Sequence, residues 1–144
     1  DIPKPGSETG RPLGMSSFED KIVEWATKQV VEPLFEPLCE DCSYGYRPQR
    51  SPHQCLDALG RTIQQKRVNH LVEADIRGFF DAVHHEWLLK FLRQRIGDER
   101  VRRLIYRMLK AGIMEDGLVQ ATEVGTPQGS ILSPLLSNVY LHYV

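Results

Sequence analysis

The sequence predicts an α+β fold, in which helices, an isolated strand and a β-hairpin share one core instead of alternating as βαβ units. Four segments have apolar residues at helical spacing, whereas the run 70–76 is short, apolar and of strand length. Asp116-Gly117 separates two short apolar pairs, and this dipeptide is typical of tight hairpin turns. A chain of 144 residues is long enough for one domain with a core of moderate size.

The first predicted helix begins near Ser16-Ser17-Phe18-Glu19, which matches a capping box. Pro33 and Pro37 are expected to end it, because proline lacks the N–H that a helix interior needs. Its predicted buried stripe consists of three apolar residues at helical spacing, namely Ile22, Ala26 and Val30.

The second predicted helix begins at Ser51-Pro52, with serine as the cap and proline in the first turn. Its predicted apolar face is formed by Leu56, Leu59 and Ile63. Two amphipathic helices are expected over 85–96 and 99–109, separated by Gly97-Asp98. A last helix is expected to begin near Ser133-Pro134.

The composition is that of an ordinary soluble globular protein, with 41% hydrophobic and 26% charged residues. The sequence has neither an apolar run that could cross a bilayer nor a signal-peptide pattern at its start, so no membrane partner is expected. Three cysteines do not make a disulfide framework, which predicts a reducing, intracellular and cytoplasmic setting.

The net charge of −1 hides an uneven distribution, because residues 90–110 carry eight basic and only two acidic side chains. Such a stretch can follow a phosphate backbone, or it can be the solvated face of a helix. Charge alone favours the solvated face.

Asp75 interrupts the apolar run of the predicted strand and is the first candidate site. A buried carboxylate needs a base, a set of amides or a metal ion as its partner. Gly78 allows the backbone to approach a ligand closely, and Phe79 and Phe80 add aromatic surface beside the acid. The alternative is an acid that caps the turn after the strand, which this segment taken alone favours.

The second candidate site is Gly125-Thr126-Pro127-Gln128-Gly129-Ser130, just before the last predicted helix. Backbone amides and the Gln128 side chain would meet a phosphate or a nucleotide at the helix N-terminus. The alternative is a plain turn with a helix cap.

The third candidate is a zinc site formed by Cys39, Cys42, His53 and Cys55, since cysteine and histidine hold zinc in such sets. The spacing is looser than in common zinc motifs, and neighbouring apolar residues favour cysteines that pack as small hydrophobic side chains. A zinc-dependent interaction domain is therefore the less favoured interpretation.

Four segments, in the right order, resemble the conserved blocks of group II intron-encoded reverse transcriptases and maturases. They read RPLG with EDKIV (11–14 and 19–23), SYGYRPQRS (43–51), VEADIRGFFD with HEWLL (72–81 and 85–89) and GTPQGSILSPLLSN (125–138). The blocks cover nearly the whole chain, and their shared order makes the resemblance far more specific than any one of them.

The resemblance implies a right-hand polymerase, with fingers over about 1–70 and a partial palm with a helical finger insertion over about 71–144. The implied activity is RNA-directed DNA polymerisation with Mg²⁺, an RNA template, a DNA primer and dNTPs, with intron RNA as a further partner. The alternative implied function is a non-catalytic RNA-binding maturase module that assists intron splicing.

The family's Tyr-Ala-Asp-Asp hairpin, which supplies the other catalytic carboxylates, is not reached before Val144. The chain by itself is therefore expected to be inactive as a polymerase. We also expect it to self-associate through the sheet edge and apolar surface that the missing hairpin leaves uncovered.

The resemblance also assigns roles to single residues. Asp75 is implied as the catalytic carboxylate and metal ligand, with the Ile76 carbonyl as a further ligand. Arg47 and Arg50 are implied as template contacts. The implied dNTP contacts are Lys4, Arg11, Gly78, Phe79, Phe80 and Gln128. Among them, Phe80 matches the steric gate that excludes a ribose 2′-hydroxyl.

Overall fold

The computed structural model of the chain describes residues 16–111, 113–115, 118–120, 125–126 and 129–144. In chain order these residues form α1 (Phe18–Phe35), a 3-10 turn (Glu36–Leu38), α2 (Pro52–Gln65), α3 (Phe79–Ala82), α4 (His85–Arg93), α5 (Glu99–Lys110), β1 (Ile113–Glu115), β2 (Leu118–Gln120) and α6 (Ser133–Tyr143). In these ranges, every helix is too short or too polar to cross a membrane.

Helix α1 begins where the sequence predicts, but it buries a different face. The Ser17 hydroxyl accepts a hydrogen bond from the Asp20 N–H at 3.1 Å and so caps the first turn. The predicted stripe is wrong, since Ile22, Ala26 and Val30 are exposed. The buried residues of α1 are Glu24, Thr27, Val31 and Phe35. Apolar residues occur all round this helix, so its packing against α6, not its periodicity, decides which face is buried.

Pro33 lies inside α1 and does not end it, contrary to the prediction. The helix continues to Phe35, and Pro37 falls in the following 3-10 turn. An interior proline removes one backbone hydrogen bond. Burial of the Phe35 ring, which is only 2% exposed, offsets part of that loss and holds the last turn in place.

Helix α2 has the predicted cap but an apolar face that is not buried. The Ser51 hydroxyl accepts from the Gln54 N–H at 3.3 Å, and the Gln54 side chain accepts from the Ser51 N–H at 2.8 Å. These two bonds form a complete capping box. The predicted face, formed by Leu56, Leu59 and Ile63, is 45–65% exposed. Among the described residues, this apolar face of α2 is therefore not packed into the core.

The predicted strand over 70–76 is absent from the described residues. Segment 67–76 has no regular secondary structure, and Val72 is 89% exposed. A strand forms only by pairing with another strand. Within the described ranges the sole pair is β1 with β2, antiparallel and with Met114 opposite Val119.

The strands of the predicted hairpin are thus confirmed, while Asp116-Gly117 lies outside the described residues. The described part of the chain is mostly helical with one short hairpin, so the predicted α+β fold is not confirmed in detail there.

The core lies between α4, α5 and α6, with α1 against α6. Helices α4 and α5 are separated by residues 94–98, which include the predicted Gly97-Asp98, and the Asp98 carboxylate caps α5 by accepting from the Arg100 N–H at 2.8 Å. Helix α4 ends at Arg93, before the predicted end at Ile96. The buried apolar residues are Val31, Phe35, Val83, Leu88, Leu92, Ile96, Ile105, Leu109, Leu132, Leu135, Leu136 and Val139.

Helix α6 begins at Ser133, as predicted, and carries two tyrosines that meet aromatic rings from earlier in the chain. The Phe91 ring on α4 stacks on Tyr143 with centroids 4.9 Å apart. Tyr140 contacts Phe79 edge-on at 6.2 Å. This second contact holds the segment that contains α3 against α6.

Candidate active site

The candidate site is built on a tight turn that follows Asp75. Gly78 adopts a left-handed conformation, with φ of 62° and ψ of 32°, which glycine tolerates best. Its carbonyl accepts a hydrogen bond from the Asp81 N–H at 3.1 Å. The Phe79 ring anchors this turn to α6. The turn is therefore tied to the core, while Asp75 precedes it at the surface.

Residues 125–126 lie directly on this turn. The Gly125 N–H donates to the Val83 carbonyl at 2.9 Å, and the Thr126 N–H donates to the Phe80 carbonyl at 2.7 Å. Gly125 has a φ of +96°, and a Cβ there would lie 3.2 Å from backbone atoms of Phe80 and Asp81. Glycine suits this position, because other residues rarely adopt such a φ and a Cβ at 3.2 Å would be a tight contact. Backbone hydrogen bonds thus bring together two segments that the sequence marked separately.

His85 holds the same junction from the start of α4. His85 is 4% exposed, and its Nε2 lies 2.6 Å from the Gly125 carbonyl oxygen. A carbonyl can only accept, so Nε2 must carry the proton. Nδ1 is buried without a partner among the described residues. Sequence reasoning gave His85 no role, because nothing local distinguishes it from the exposed His84.

Glu24 links α1 to the loop before α6, and sequence reasoning missed it as well. Its buried carboxylate accepts from the Ser16 hydroxyl at 2.9 Å and from the Ile131 N–H at 2.8 Å. The Ser130 hydroxyl accepts from the Leu132 N–H at 3.2 Å in the same loop. These bonds hold the path of the chain into α6. Nothing in the sequence of α1 indicates that one of its acids has a hydrogen-bond partner so far along the chain.

The predicted metal ligands lie at the surface. Asp75 is exposed, and its carboxylate makes no hydrogen bond or ion pair with any described residue. The argument that a buried acid needs a partner therefore does not apply to it. Ile76 is 59% exposed. Phe80 is half-buried beside Phe79, with ring centroids 5.9 Å apart. The remaining predicted dNTP contacts, Lys4, Arg11 and Gln128, lie outside the described residues.

Arg47, a predicted template contact, is engaged within its own loop. Its Nη2 lies 2.7 Å from Oε1 of Glu36, and its Nε also donates to that carboxylate. Nη1 donates to the carbonyls of Glu40 and Ser43 at 2.6 and 2.8 Å. The hydrogen bond to Glu36 raises the pKa of Arg47 above its usual value. With its side chain only 6% exposed, Arg47 shapes this loop.

Arg50, the other predicted template contact, remains accessible. It lies 3.4 Å from the exposed Asp41 carboxylate and 5.5 Å from the centre of the Tyr44 ring, with 31% of its side chain exposed. The loop as a whole is attached to α6, because the Asn138 side chain donates to the Gly45 carbonyl at 2.9 Å. Arg50 is thus presented on an ordered loop.

The zinc interpretation gains no support from the described residues. Burial raises the pKa of the Cys39 thiol, an effect that the nearby Arg47 cation opposes only in part. A raised pKa disfavours the thiolate that zinc binds. Cys39, Cys42 and Cys55 are all free, and within the described ranges no three Cys, His, Asp or Glu side chains are grouped to hold a metal ion.

Replacing His85 with phenylalanine is expected to lower the free energy of unfolding by about 1–3 kcal/mol, because the buried Gly125 carbonyl loses its donor. His85→Gln keeps an N–H donor at similar reach and should lose less. Urea denaturation measures both, with His84→Phe at the exposed neighbouring position as the control. Equal losses for His85→Phe and His84→Phe would contradict the assigned hydrogen bond.

Known proteins similar to this chain share one family. The model of the family described as reverse transcriptase (RNA-dependent DNA polymerase) matches residues 2–144. The group II intron-encoded protein LtrA of Lactococcus lactis subsp. cremoris is 44% identical over 141 residues, or 98% of this chain and 23% of LtrA. Protein YkfC of Escherichia coli K12 is 38% identical over 144 residues, or 98% of this chain and 38% of YkfC.

A plant protein extends the comparison to maturases. Nuclear intron maturase 1, mitochondrial, of Arabidopsis thaliana is 30% identical over 95 residues, or 65% of this chain and 13% of that protein. The chain spans less than two fifths of each of these three relatives. The resemblance found in the sequence is confirmed: the chain belongs to the reverse transcriptase family, among the group II intron-encoded reverse transcriptases and maturases.

Proposed function

We propose that the protein containing this chain is an RNA-directed DNA polymerase of the group II intron type, with Asp75 as its first catalytic carboxylate. The observation that carries the proposal is the junction just after Asp75, where residues 125–126 are bonded to the turn that Gly78 opens. A polymerase needs its metal-binding acid and the loop over the incoming nucleotide in one place, because positioning supplies much of the rate enhancement.

The proposal includes the α+β right-hand architecture, with fingers over about 1–70 and a partial palm over about 71–144. Segment 70–76 would be a palm strand, paired with strands from elsewhere in the protein. Its exposed apolar residues, Leu71 at 65% and Val72 at 89%, are the surface that such pairing would cover. This also explains why the segment has strand composition without strand structure.

The ligand atoms of the site are of the type that Mg²⁺ prefers, but they are too few to hold the ion by themselves. The Asp75 carboxylate and the Ile76 carbonyl are oxygen ligands, which Mg²⁺ prefers. Within the described ranges no group of three or more His, Cys, Asp or Glu side chains that could hold a metal ion is found, at Asp75 or elsewhere. Asp75 and Ile76 would therefore hold the metal together with carboxylates from other parts of the protein. When bound, two divalent ions activate the primer 3′-hydroxyl and neutralise the triphosphate.

The other proposed contacts follow from the same turn. The backbone N–H groups of Gly78 and Phe79 donate to no group among the described residues, so they are available to a triphosphate. The nucleotide site would be completed by three residues that match nucleotide contacts of the family, namely Lys4, Arg11 and Gln128. For the template we propose Arg50, since its guanidinium is accessible. Arg47 we assign to the loop instead, because its Nε, Nη1 and Nη2 groups already donate hydrogen bonds to Glu36, Glu40 and Ser43.

Phe80→Val is expected to weaken discrimination against ribonucleotides by about 10- to 200-fold, because a smaller side chain leaves room for the ribose 2′-hydroxyl. The ratio of kcat/KM for a dNTP to that for the matching rNTP measures this effect in the full-length protein. Phe18→Val, at a 75% exposed aromatic residue at the start of α1, is the control. An unchanged ratio in Phe80→Val would remove the steric-gate role.

The second candidate function is a non-catalytic RNA-binding maturase module, and the basic α4–α5 hairpin favours it. Primer extension by the full-length protein, with an RNA template, Mg²⁺ and dNTPs, decides between the two. Extension would support the polymerase. A folded protein that binds intron RNA but extends no primer would support the RNA-binding module.

A further inference from the structure

An open groove of about 530 Å³ runs between α4 and α5 and is lined by four basic side chains. Lys90 and Arg93 come from α4, and Arg102 and Arg103 come from α5. Lys90 and Arg93 are three residues apart and share one face of α4, whereas Arg102 and Arg103 are neighbours on α5 that both line the groove. The groove thus presents cations from both helices to a single ligand.

The groove lies away from the apolar faces that form the core. Leu88 and Leu92 of α4 are fully buried, as is Ile105 of α5. A helix that binds a membrane surface needs a free apolar face to enter the lipid. Because both helices use their apolar faces in the core, a bilayer is not a suitable occupant of the groove.

Three of the four cations are available to an anion. Arg93 forms no ion pair within the described part of the chain. Arg103 pairs with Glu99 at 3.2 Å, but these side chains are 64% and 73% exposed, so solvent screens the pair and a phosphate can displace it. The Lys90 ammonium lies over the Trp87 ring, 4.2 Å from its centre, and remains exposed.

The fourth cation, Arg102, has a structural task. Its Nη1 donates to the carbonyl of Gly97 at 2.9 Å and also to that of Ile96. These bonds close the turn between the two helices. Arg102 therefore adds positive potential to the groove but should be left intact in any test.

The charge pattern fits a polymer of regularly spaced anions better than a single small anion. Residues 85–110 carry eight basic and three acidic side chains, of which four basic and two acidic ones line the groove. A nucleic-acid backbone is attracted by such a surface and releases counterions when it binds.

We propose that this groove binds the phosphate backbone of an RNA, at a surface separate from the template–primer site. Only the choice of RNA as the polyanion rests on the proposed function. The phosphate binding itself rests on the arrangement of Lys90, Arg93 and Arg103.

The test is a binding titration of the full-length protein with a labelled single-stranded RNA of mixed sequence, at several salt concentrations. Lys90→Gln/Arg93→Gln/Arg103→Gln is expected to weaken binding by about tenfold or more. It should also reduce the slope of log K against log salt by about 2, since three phosphate contacts are lost. An unchanged slope in the folded triple variant would overturn the proposal.

Two further variants control for side-chain loss and for misfolding. Lys90→Arg/Arg93→Lys/Arg103→Lys keeps every charge at the same positions and should keep the salt slope. Removing the two acids that line the groove, in Glu86→Gln/Glu99→Gln, is expected to raise RNA affinity by about two- to tenfold. If the triple glutamine variant does not fold, unchanged affinity in the double acid variant overturns the proposal instead.

Primer extension and a DNA probe separate the groove from other surfaces. The triple glutamine variant should extend a short template–primer at the wild-type rate, and an equal fall in extension would make the groove part of the template contact, against the proposal. RNA binding should be weakened at least as much as binding of a DNA of the same sequence; a loss confined to DNA would overturn RNA as the occupant. A wild type that binds RNA through the groove without extending primers would remove only the proposed polymerase function.

Discussion

Asp75→Asn in the full-length protein is expected to reduce primer extension on an RNA template by about 10²- to 10³-fold or more. Asparagine has almost the shape of aspartate but carries no charge, so it is a much weaker ligand for Mg²⁺. Asp75 is exposed and has no partner among the described residues. The substitution should therefore change the free energy of unfolding by no more than about 0.5 kcal/mol.

The matched control is Glu73→Gln, which removes an equal charge from an exposed acid two residues earlier in the same segment. Extension by this variant should stay near the wild-type rate. An equal loss of activity in both variants would mean that negative charge along the segment matters in general, and that Asp75 has no specific role as a metal ligand.

Gly125→Ala is expected to lower the free energy of unfolding by about 2–5 kcal/mol, and to reduce primer extension with it. Two costs add here. Alanine is strained at a φ of +96°, and its Cβ would lie 3.2 Å from backbone atoms of Phe80 and Asp81, which cannot rotate away. Relief requires the backbone of the turn after Asp75 to move by a few tenths of an ångström away from Gly125, and this movement disturbs the proposed site.

Gly60→Ala provides the comparison, because Gly60 lies inside α2 and a Cβ there meets nothing within 4 Å. That variant should be neutral or more stable by about 0.5–1 kcal/mol, since alanine favours a helix interior over glycine. Urea denaturation of both variants measures the difference. Similar stability of Gly125→Ala and Gly60→Ala would show that the junction is not tightly packed.

Features that depend on neighbouring residues in the sequence were predictable. The cap at Ser51 lies where the sequence places it, and α1 begins close to its predicted start but is capped by Ser17 through the Asp20 N–H and not by a capping box of Ser16 with Glu19, because a cap needs only a serine and the first turn of its own helix. The α4–α5 hairpin, with its turn at Gly97-Asp98, follows from the same kind of local signal. The hairpin strands at 113–115 and 118–120 are likewise adjacent in sequence.

Features that depend on distant partners were not predictable. The buried face of α1 is chosen by α6, more than a hundred residues later, which explains why Glu24 is buried while Ile22 is exposed. Segment 67–76 has the composition of a strand, but composition cannot supply a pairing partner. The candidate site likewise contains residues that could be predicted from the sequence and residues that could not. Asp75 and Gly78 are recognisable in one short motif, whereas His85 and Gly125, forty residues apart, acquire their role only by meeting.

Primer extension tests the central claim most directly, with wild type, Asp75→Asn and Glu73→Gln of the full-length protein assayed together on an RNA template with Mg²⁺ and dNTPs. We predict extension by wild type and Glu73→Gln and none above background by Asp75→Asn. Equal extension by wild type and Asp75→Asn would place the active site elsewhere in the protein, and no extension by a folded wild type would contradict the polymerase function itself.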